Sequence, residues 1–226
     1  MFCIPEIASL DDVVMAAEYG CSFIRIGTNV EDVKKSEPYI KCAKEHNLMV
    51  TANYMKSYAA TAEEFKQAVQ YSESWGADLV YIVDSAGGMI PADIEKYYNV
   101  IKQCSNIKTG FHGHNNLMLA DANAQKFVQE MRNHRTLIVD SSLYGCGRGA
   151  GNTHTELISQ YLCCKYEADY DINEMLDLID TVIAAVEEKT TWGYSIPYFI
   201  AGMHNAHTFN VRQLLKRHNL KSKDLR

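Results

Sequence analysis

Short β-rich runs recur along this chain at 22–26, 48–53, 79–83, 108–111 and 136–139. Their spacing of about 25–30 residues is the length of one strand–helix unit in a parallel sheet. Helical patterns fill the intervals. One covers 10–19, capped by Ser9, with Asp11 and Asp12 in its first turn. Others cover 31–46 and 62–75, the latter with Thr61 and Glu64 as a capping box. Residues 93–104 carry Ile94, Tyr97, Tyr98 and Ile101 at helical spacing, and 117–132 reads likewise. Residues 2–4 read as a sixth, remnant strand. The expected class is therefore α/β with a parallel sheet.

Each apolar run gives way to polar groups at its C-terminal end. These are Thr28-Asn29, Asn53-Tyr54, Asp84-Ser85, His114-Asn115 and Asp140-Ser141-Ser142. Strand C-termini are where barrels and open α/β sheets build their sites. A (β/α)8 TIM barrel needs eight strands and about 250 residues, whereas this chain has 226. Its last part is helical: 171–187 places Ile172, Met175, Leu176, Ile179, Val182, Ile183 and Val186 on an amphipathic pattern, and 197–218 is a further helical region. The expected organisation is an incomplete barrel over 1–165 and a C-terminal helical extension over 166–226.

A net charge of −6 disfavours polyanionic partners, so no nucleic-acid role is expected. No apolar run reaches the roughly 20 residues of a membrane span, and the N-terminus carries no basic n-region. The seven cysteines are scattered, odd in number and form no CxxC pair. A reduced, cytoplasmic protein with buried thiols is the expectation.

The richest stretch is Thr109-Gly110-Phe111-His112-Gly113-His114-Asn115-Asn116. Residues i and i+2 of a strand share a face, so His112 and His114 converge at one strand end. Neutral imidazole is a common ligand for Zn, Mn, Fe or Co; two ordinary polar residues at a strand end is the alternative. Asn115 and Asn116 are placed to orient ligands. Gly145-Cys146-Gly147-Arg148-Gly149-Ala150-Gly151-Asn152 follows the last strand. Such a loop brings backbone N–H groups close to an anion or a substrate carboxylate, or is a flexible turn. Asn152 offers an oxygen ligand. Lys56 reads as a solvated loop lysine rather than a Schiff-base former. Cys146 has no adjacent base motif. His204 and His207 miss i, i+4 spacing by one and read as helix-surface or partner-facing residues.

These residues resemble the metal-dependent aldolase and acyltransferase superfamily that includes 3-hydroxy-3-methylglutaryl-CoA lyase, isopropylmalate synthase and 4-hydroxy-2-oxovalerate aldolase. The last is the nearest in appearance. The motifs that carry the likeness are His112/His114-Asn115, Val139-Asp140-Ser141-Ser142, Gly147-Arg148-Gly149-Ala150-Gly151-Asn152 and Val83-Asp84-Ser85-Ala86-Gly87. The resemblance implies a divalent-metal-dependent carbon–carbon lyase cleaving a 4-hydroxy-2-oxo acid to pyruvate and an aldehyde. By it, His112, His114 and Asn152 are metal-side residues, and Asp84, Ser85, Asn53 and Arg148 are substrate-side. Mn²⁺ is the implied metal, with Mg²⁺, Co²⁺ or Zn²⁺ as substitutes. It further implies an aldehyde dehydrogenase partner, and the sheet edge that the missing strands would leave exposed predicts a homo-oligomer. Cys146 does not match the catalytic cysteine of the CoA lyases. The family's first-strand pattern D-x-T-L-R-D-G, which supplies a ligand aspartate, an arginine and a nearby base, does not occur here. By the resemblance residues 2–4 match the third barrel strand, so the first two βα units are missing and the chain alone is expected to be impaired. A Claisen-type acyltransferase using acetyl-CoA and a non-catalytic homologue are the alternatives.

Overall fold

The structure, a computed structural model, describes residues 1–132, 136–215 and 221–225. Six strands form one sheet in chain order: β1 Phe2–Cys3, β2 Phe23–Asn29, β3 Met49–Met55, β4 Leu79–Asp84, β5 Lys108–Gly113 and β6 Leu137–Val139. Pairing is parallel from β1 through β4, with Phe2 opposite Arg25, Ile24 opposite Val50 and Ala52 opposite Val80. All six runs expected from the sequence are strands, including the remnant at 2–4. Sequential strands lying side by side in one sheet is the order of a (β/α)8 barrel, and six is two short of a closed one.

The chain divides into two compact units. The first comprises Met1–Val83, Ala92–Phe111 and Val128–Ile138. It contains helices α1 Leu10–Glu18, α2 Glu37–Glu45 and α3 Ala62–Ser74, and all but the first residue of α4 Pro91–Cys104. Every residue of β4 is buried, as in parallel strands covered on both faces. Gly110 is a packing requirement: a Cβ there would lie 2.4 Å from the Tyr81 ring. The Arg25 guanidinium lies over that same ring, 4.5 Å from its centroid. Tyr54 ties α3 to β3 by donating from its buried hydroxyl to the Ala68 carbonyl, 2.9 Å away.

Both expected capping boxes form. Asp12 N–H donates to Ser9 Oγ and Glu64 N–H to Thr61 Oγ1, each reciprocated by the carboxylate. The single helix expected over 31–46 is two pieces, a 3₁₀ helix Val30–Ser36 followed by α2. Pro38 explains the break. It has no N–H to give to the carbonyl four residues back, but it fits the first turn of a new helix.

The second unit comprises Asp84–Pro91, His112–Phe127 and Val139–Arg226. It holds the first residues of α5 Ala120–Met131, then α6 Thr155–Tyr166, α7 Ile172–Leu178, a π-helical turn Ile179–Ile183, α8 Ala184–Glu187, α9 Ile196–Met203 and α10 Thr208–Leu215. The expected helix 197–218 is thus two helices, and its positions 216–218 lie outside the described residues. α9 stops because Asn205 adopts the left-handed conformation, φ +51°. Its N–H donates to Gly202 O and that of Ala206 to Ala201 O, the paired bonds of a Schellman motif. α6 has no counterpart in the sequence reading; its apolar residues do not sort to one face, Ile158 being buried and Leu157 exposed. Among the described residues no helix is long and apolar enough to cross a membrane. Of the seven thiols only Cys3 is buried, with five half-buried and Cys164 exposed, so the expectation of mostly buried thiols is corrected.

Candidate functional site

The end of β5 and the glycine loop are laced together by backbone bonds within the second unit. Thr153 N–H donates to Gly113 O (3.2 Å) and Asn115 N–H to Gly151 O (3.0 Å). The pairing sets His114 opposite Asn152 in an antiparallel bridge. His112 and His114 follow the strand alternation onto a shared face, ring centroids 5.1 Å apart and planes nearly perpendicular. With metal–nitrogen bonds of about 2.0–2.1 Å, that separation suits two imidazoles on one ion.

The two rings are prepared differently. His112 Nδ1 lies 3.1 Å from Asp140 Oδ2. An ionised carboxylate only accepts, so Nδ1 carries a proton, and in the neutral ring the lone pair is on Nε2. His114 Nδ1 is buried with no hydrogen-bond partner, an unpaired atom of the kind native interiors avoid unless something else binds there. Burial, and then the neighbouring His112, push the His114 imidazole down to about 4. It is therefore neutral, with a lone pair to donate, at neutral pH.

Asn152 is fixed by its own loop. Its Nδ2 donates to Cys146 O (3.0 Å) and Ser142 Oγ (3.3 Å), which makes Oδ1 the acceptor end of the amide. The loop closes on itself through Asn152 N–H to Gly145 O and Gly151 N–H to Arg148 O. Its glycines are required: Gly145, Gly149 and Gly151 all have positive φ, and a Cβ on Gly147 would lie 2.6 Å from the Asn152 amide nitrogen. The loop is an ordered turn that seats Asn152 and holds Arg148 at its tip. Among the described residues no group of three or more His, Cys, Asp or Glu is placed to hold a metal ion. Two neighbouring imidazoles and, across the backbone bridge from His114, the Asn152 amide are donors of the kind a divalent ion accepts, with no carboxylate placed to join them as a ligand among the described residues.

Beside the pair is a cavity of about 50 Å³, lined by Ser85, His114, Arg148, His207, Thr208 and Phe209. Ser85 and Arg148, the two candidates from the 85–88 turn and the glycine loop, both line it. His207 is not where that reading put it: it faces this cavity rather than an outer helix surface. Its signal in the sequence is position, one residue before α10, and not spacing to His204.

Asp84 is fully buried at the end of β4. Its Oδ1 accepts Gly88 N–H (3.1 Å) and its Oδ2 accepts Met89 N–H (2.9 Å), folding the 85–90 turn. Burial outweighs those amides and pushes the carboxyl up to about 6. A raised acid has a definite sign: the stability it confers is fully present below the unfolded value near 3.8 and is lost as pH rises through about 6. Two units correspond to about 3 kcal/mol. Urea unfolding at pH 4, 5.5 and 7.5 is expected to show the wild type losing on that order relative to Asp84→Asn; parallel pH curves for the two proteins would contradict it.

Asn115 and Asn116 serve backbone groups. Asn115 Oδ1 accepts Ala120 N–H at the start of α5, and Asn116 Nδ2 donates to Tyr198 O. Asn53 belongs to the first unit, buried on β3 with Thr51 Oγ1 donating to its Oδ1 at 2.9 Å.

The HMGL-like family model matches residues 22–182. A relative from Geobacillus thermodenitrificans, 4-hydroxy-2-oxovalerate aldolase, is 33% identical over 98% of this chain and 65% of its own length. The crystal structure of the N-terminal domain of a candidate aldolase from Bacteroides vulgatus superposes with a TM-score of 0.83 at 25% identity, covering 95% of this chain and 71% of that one. The carboxyl transferase domain of Rhizobium etli pyruvate carboxylase shares the fold, with a TM-score of 0.76 at 15% identity over 96% of this chain and 40% of that one. The chain spans about two thirds of the length of the aldolases it matches, 65% of the first. With its motifs, its strand order and most of its length accounted for by one family model, the chain belongs to the HMGL-like family.

Proposed function

We propose that this chain is the greater part of a divalent-metal-dependent carbon–carbon lyase that splits a 4-hydroxy-2-oxo acid into pyruvate and an aldehyde. The observation that carries the reading is the His112/His114 ring pair set beside a small cavity that also holds Arg148. His112 through Nε2, His114, and Asn152 through Oδ1 are the residues that would hold the ion, with Mn²⁺ first among hard-to-borderline metals. A bound ion supplies Lewis acidity toward the substrate's keto and carboxylate oxygens.

The chain's own residues do the rest. Asp140 fixes the His112 ring by accepting from Nδ1. Arg148 gives the cavity a positive charge to match a carboxylate. Ser85 adds a hydroxyl at the same wall. The reaction breaks the bond between C3 and C4, with the 4-hydroxyl proton passing to a base as the aldehyde carbonyl forms. No residue of the described site is set to be that base, and the D-x-T-L-R-D-G pattern is absent from the sequence. Losing one electrostatic donor costs about 10²–10³ in rate, so we read the 226-residue chain alone as impaired.

The test is pyruvate release from 4-hydroxy-2-oxovalerate with added Mn²⁺. The chain alone is expected near background. A fusion that places the first two βα units of the Geobacillus thermodenitrificans relative ahead of Met1 is expected to turn over. Activity of the chain alone would overturn the impairment. No pyruvate from the fusion, with CoA released from acetyl-CoA instead, would move the reading to the acyltransferase class.

A further inference from the structure

Two residues outside every motif described above close the base of the glycine loop and tie it to the histidine strand. Ser142 and His154 pair in a parallel bridge, with Thr155 N–H donating to Ser142 O at 2.9 Å. His154 stands at the N-cap of α6, where a side-chain acceptor commonly receives an amide of the first turn. Its ring makes no such bond. It turns instead to Asp121, in the first turn of α5. Asp121 Oδ1 accepts the His154 backbone N–H at 2.9 Å, and Oδ2 meets the ring Nδ1 at 2.8 Å. An ionised carboxylate only accepts, so that Nδ1 carries a proton. The other edge of the ring backs onto the loop: a Cβ on Gly145 would lie 2.7 Å from His154 Nε2. Gly145 O in turn accepts the Asn152 N–H at 3.0 Å.

We propose that Asp121 and His154 form a latch that positions the glycine loop, and with it Asn152, against the histidine strand. The ties run in sequence. Asn115 follows His114, and its Oδ1 accepts Ala120 N–H at the start of α5. Asp121 is the next residue and grips His154 at two points. His154 closes the loop base, and its ring supports Gly145, which holds Asn152. The backbone bonds from Thr153 N–H to Gly113 O and from Asn115 N–H to Gly151 O set the register of the loop's exit on the strand. The loop's entry at Gly145 has the His154 ring behind it. Both carboxylate oxygens of Asp121 are engaged by His154, so Asp121 is a positioning residue and not a ligand. His154 acts likewise through Asn152, which stands opposite His114. The proposal deepens the lyase reading, on which the use of Asn152 as a metal-side donor rests.

The test compares the full chain with Asp121→Ala, Asp121→Asn, His154→Ala and the double alanine variant. Amide hydrogen exchange without metal follows Gly151 and Asn152 N–H, which bond to Arg148 O and Gly145 O, against the amides of β4. Asp121→Ala and His154→Ala are each expected to speed the two loop amides by roughly tenfold or more, the worth of one charge-assisted hydrogen bond. The β4 amides should not change. Asp121→Asn keeps an oxygen for the His154 N–H, and the ring can accept from the new amide in its other tautomer. Most of the loop protection should therefore return. Mn²⁺ affinity by equilibrium dialysis should fall about 10–100-fold in each alanine variant, the range for a group that stands behind a ligand. The double variant should lose no more, because the two residues act as one unit. Loop exchange equal to wild type in the alanine variants, or equal acceleration of loop and β4, would overturn the latch. So would a loop as open in Asp121→Asn as in Asp121→Ala, undiminished Mn²⁺ affinity in the alanine variants, or additive losses in the double variant. Failure of the lyase reading is distinct: the wild type would bind no Mn²⁺ and the fusion would make no pyruvate, while the exchange pattern would still decide the latch.

Discussion

His114→Ala is expected to abolish Mn²⁺ binding while leaving the protein folded. Removing a group that only orients a metal ligand costs about 10–100-fold in affinity, and removal of the ligand itself should exceed that. The loss should be at least a hundredfold by equilibrium dialysis, and the active fusion should fall to background. The structural reason is that His114 is already committed. Its Nδ1 is buried without a hydrogen-bond partner, and its imidazole is held down to about 4, chiefly by burial. Apart from a backbone contact at Gly151 the ring does little for the fold as a polar group, so the substitution chiefly deletes a lone pair and relieves the unpaired Nδ1. Asp140→Asn is the graded companion. It keeps the shape and weakens the hold on His112, so affinity should fall by the smaller factor. Undiminished Mn²⁺ binding in His114→Ala would remove the metal site from this position.

The second large effect is structural. Gly87→Ala is expected to destabilise the protein by about 2–5 kcal/mol. Gly87 has φ +63°, where a left-handed L-residue costs roughly 1–2 kcal/mol. A Cβ there would also lie 2.6 Å from the backbone nitrogen of Asn116. Backbone cannot rotate away as a side-chain tip can, and overpacking of this kind costs about 1–3 kcal/mol more. The displaced segment follows directly on His114, and Leu117 N–H donates to Gly87 O at 3.1 Å. Metal affinity should therefore fall together with stability. A melting temperature equal to that of wild type would show that the 85–90 turn yields more easily than its geometry implies.

The strands were legible because burial on both faces writes continuous apolar runs, as in residues 79–83, and because capping chemistry is local. Ser9 with Asp12 and Thr61 with Glu64 need only three residues of context. Helix continuity was harder to read. The break at Pro38 was visible in the sequence, but the Schellman turn at Asn205 depends on a left-handed residue that is not glycine. Within the site, the HxH pair follows from strand alternation alone. Asp140 as the partner of His112 does not, because 28 residues separate them in sequence. His207 escaped for a similar reason. Its place at the cavity wall comes from a helix boundary, and boundaries are the part of a pattern that periodicity fixes least. Asp84 shows the reverse case: the position was legible, while its engagement with the Gly88 and Met89 amides became visible only with the turn folded.

The two edges of the sheet are its shortest strands. β1 has two residues and β6 three, against six or seven in each strand between them. An incoming chain reads an edge through its row of backbone donors and acceptors. Two or three residues provide too few to direct the register of a newcomer, so neither margin is a good seed for cross-β growth. Association at either margin must be driven by side chains such as the exposed Phe2 and Ile138. Such recognition is a matter of shape and can be selective about its partner, whereas the backbone is the same in every chain.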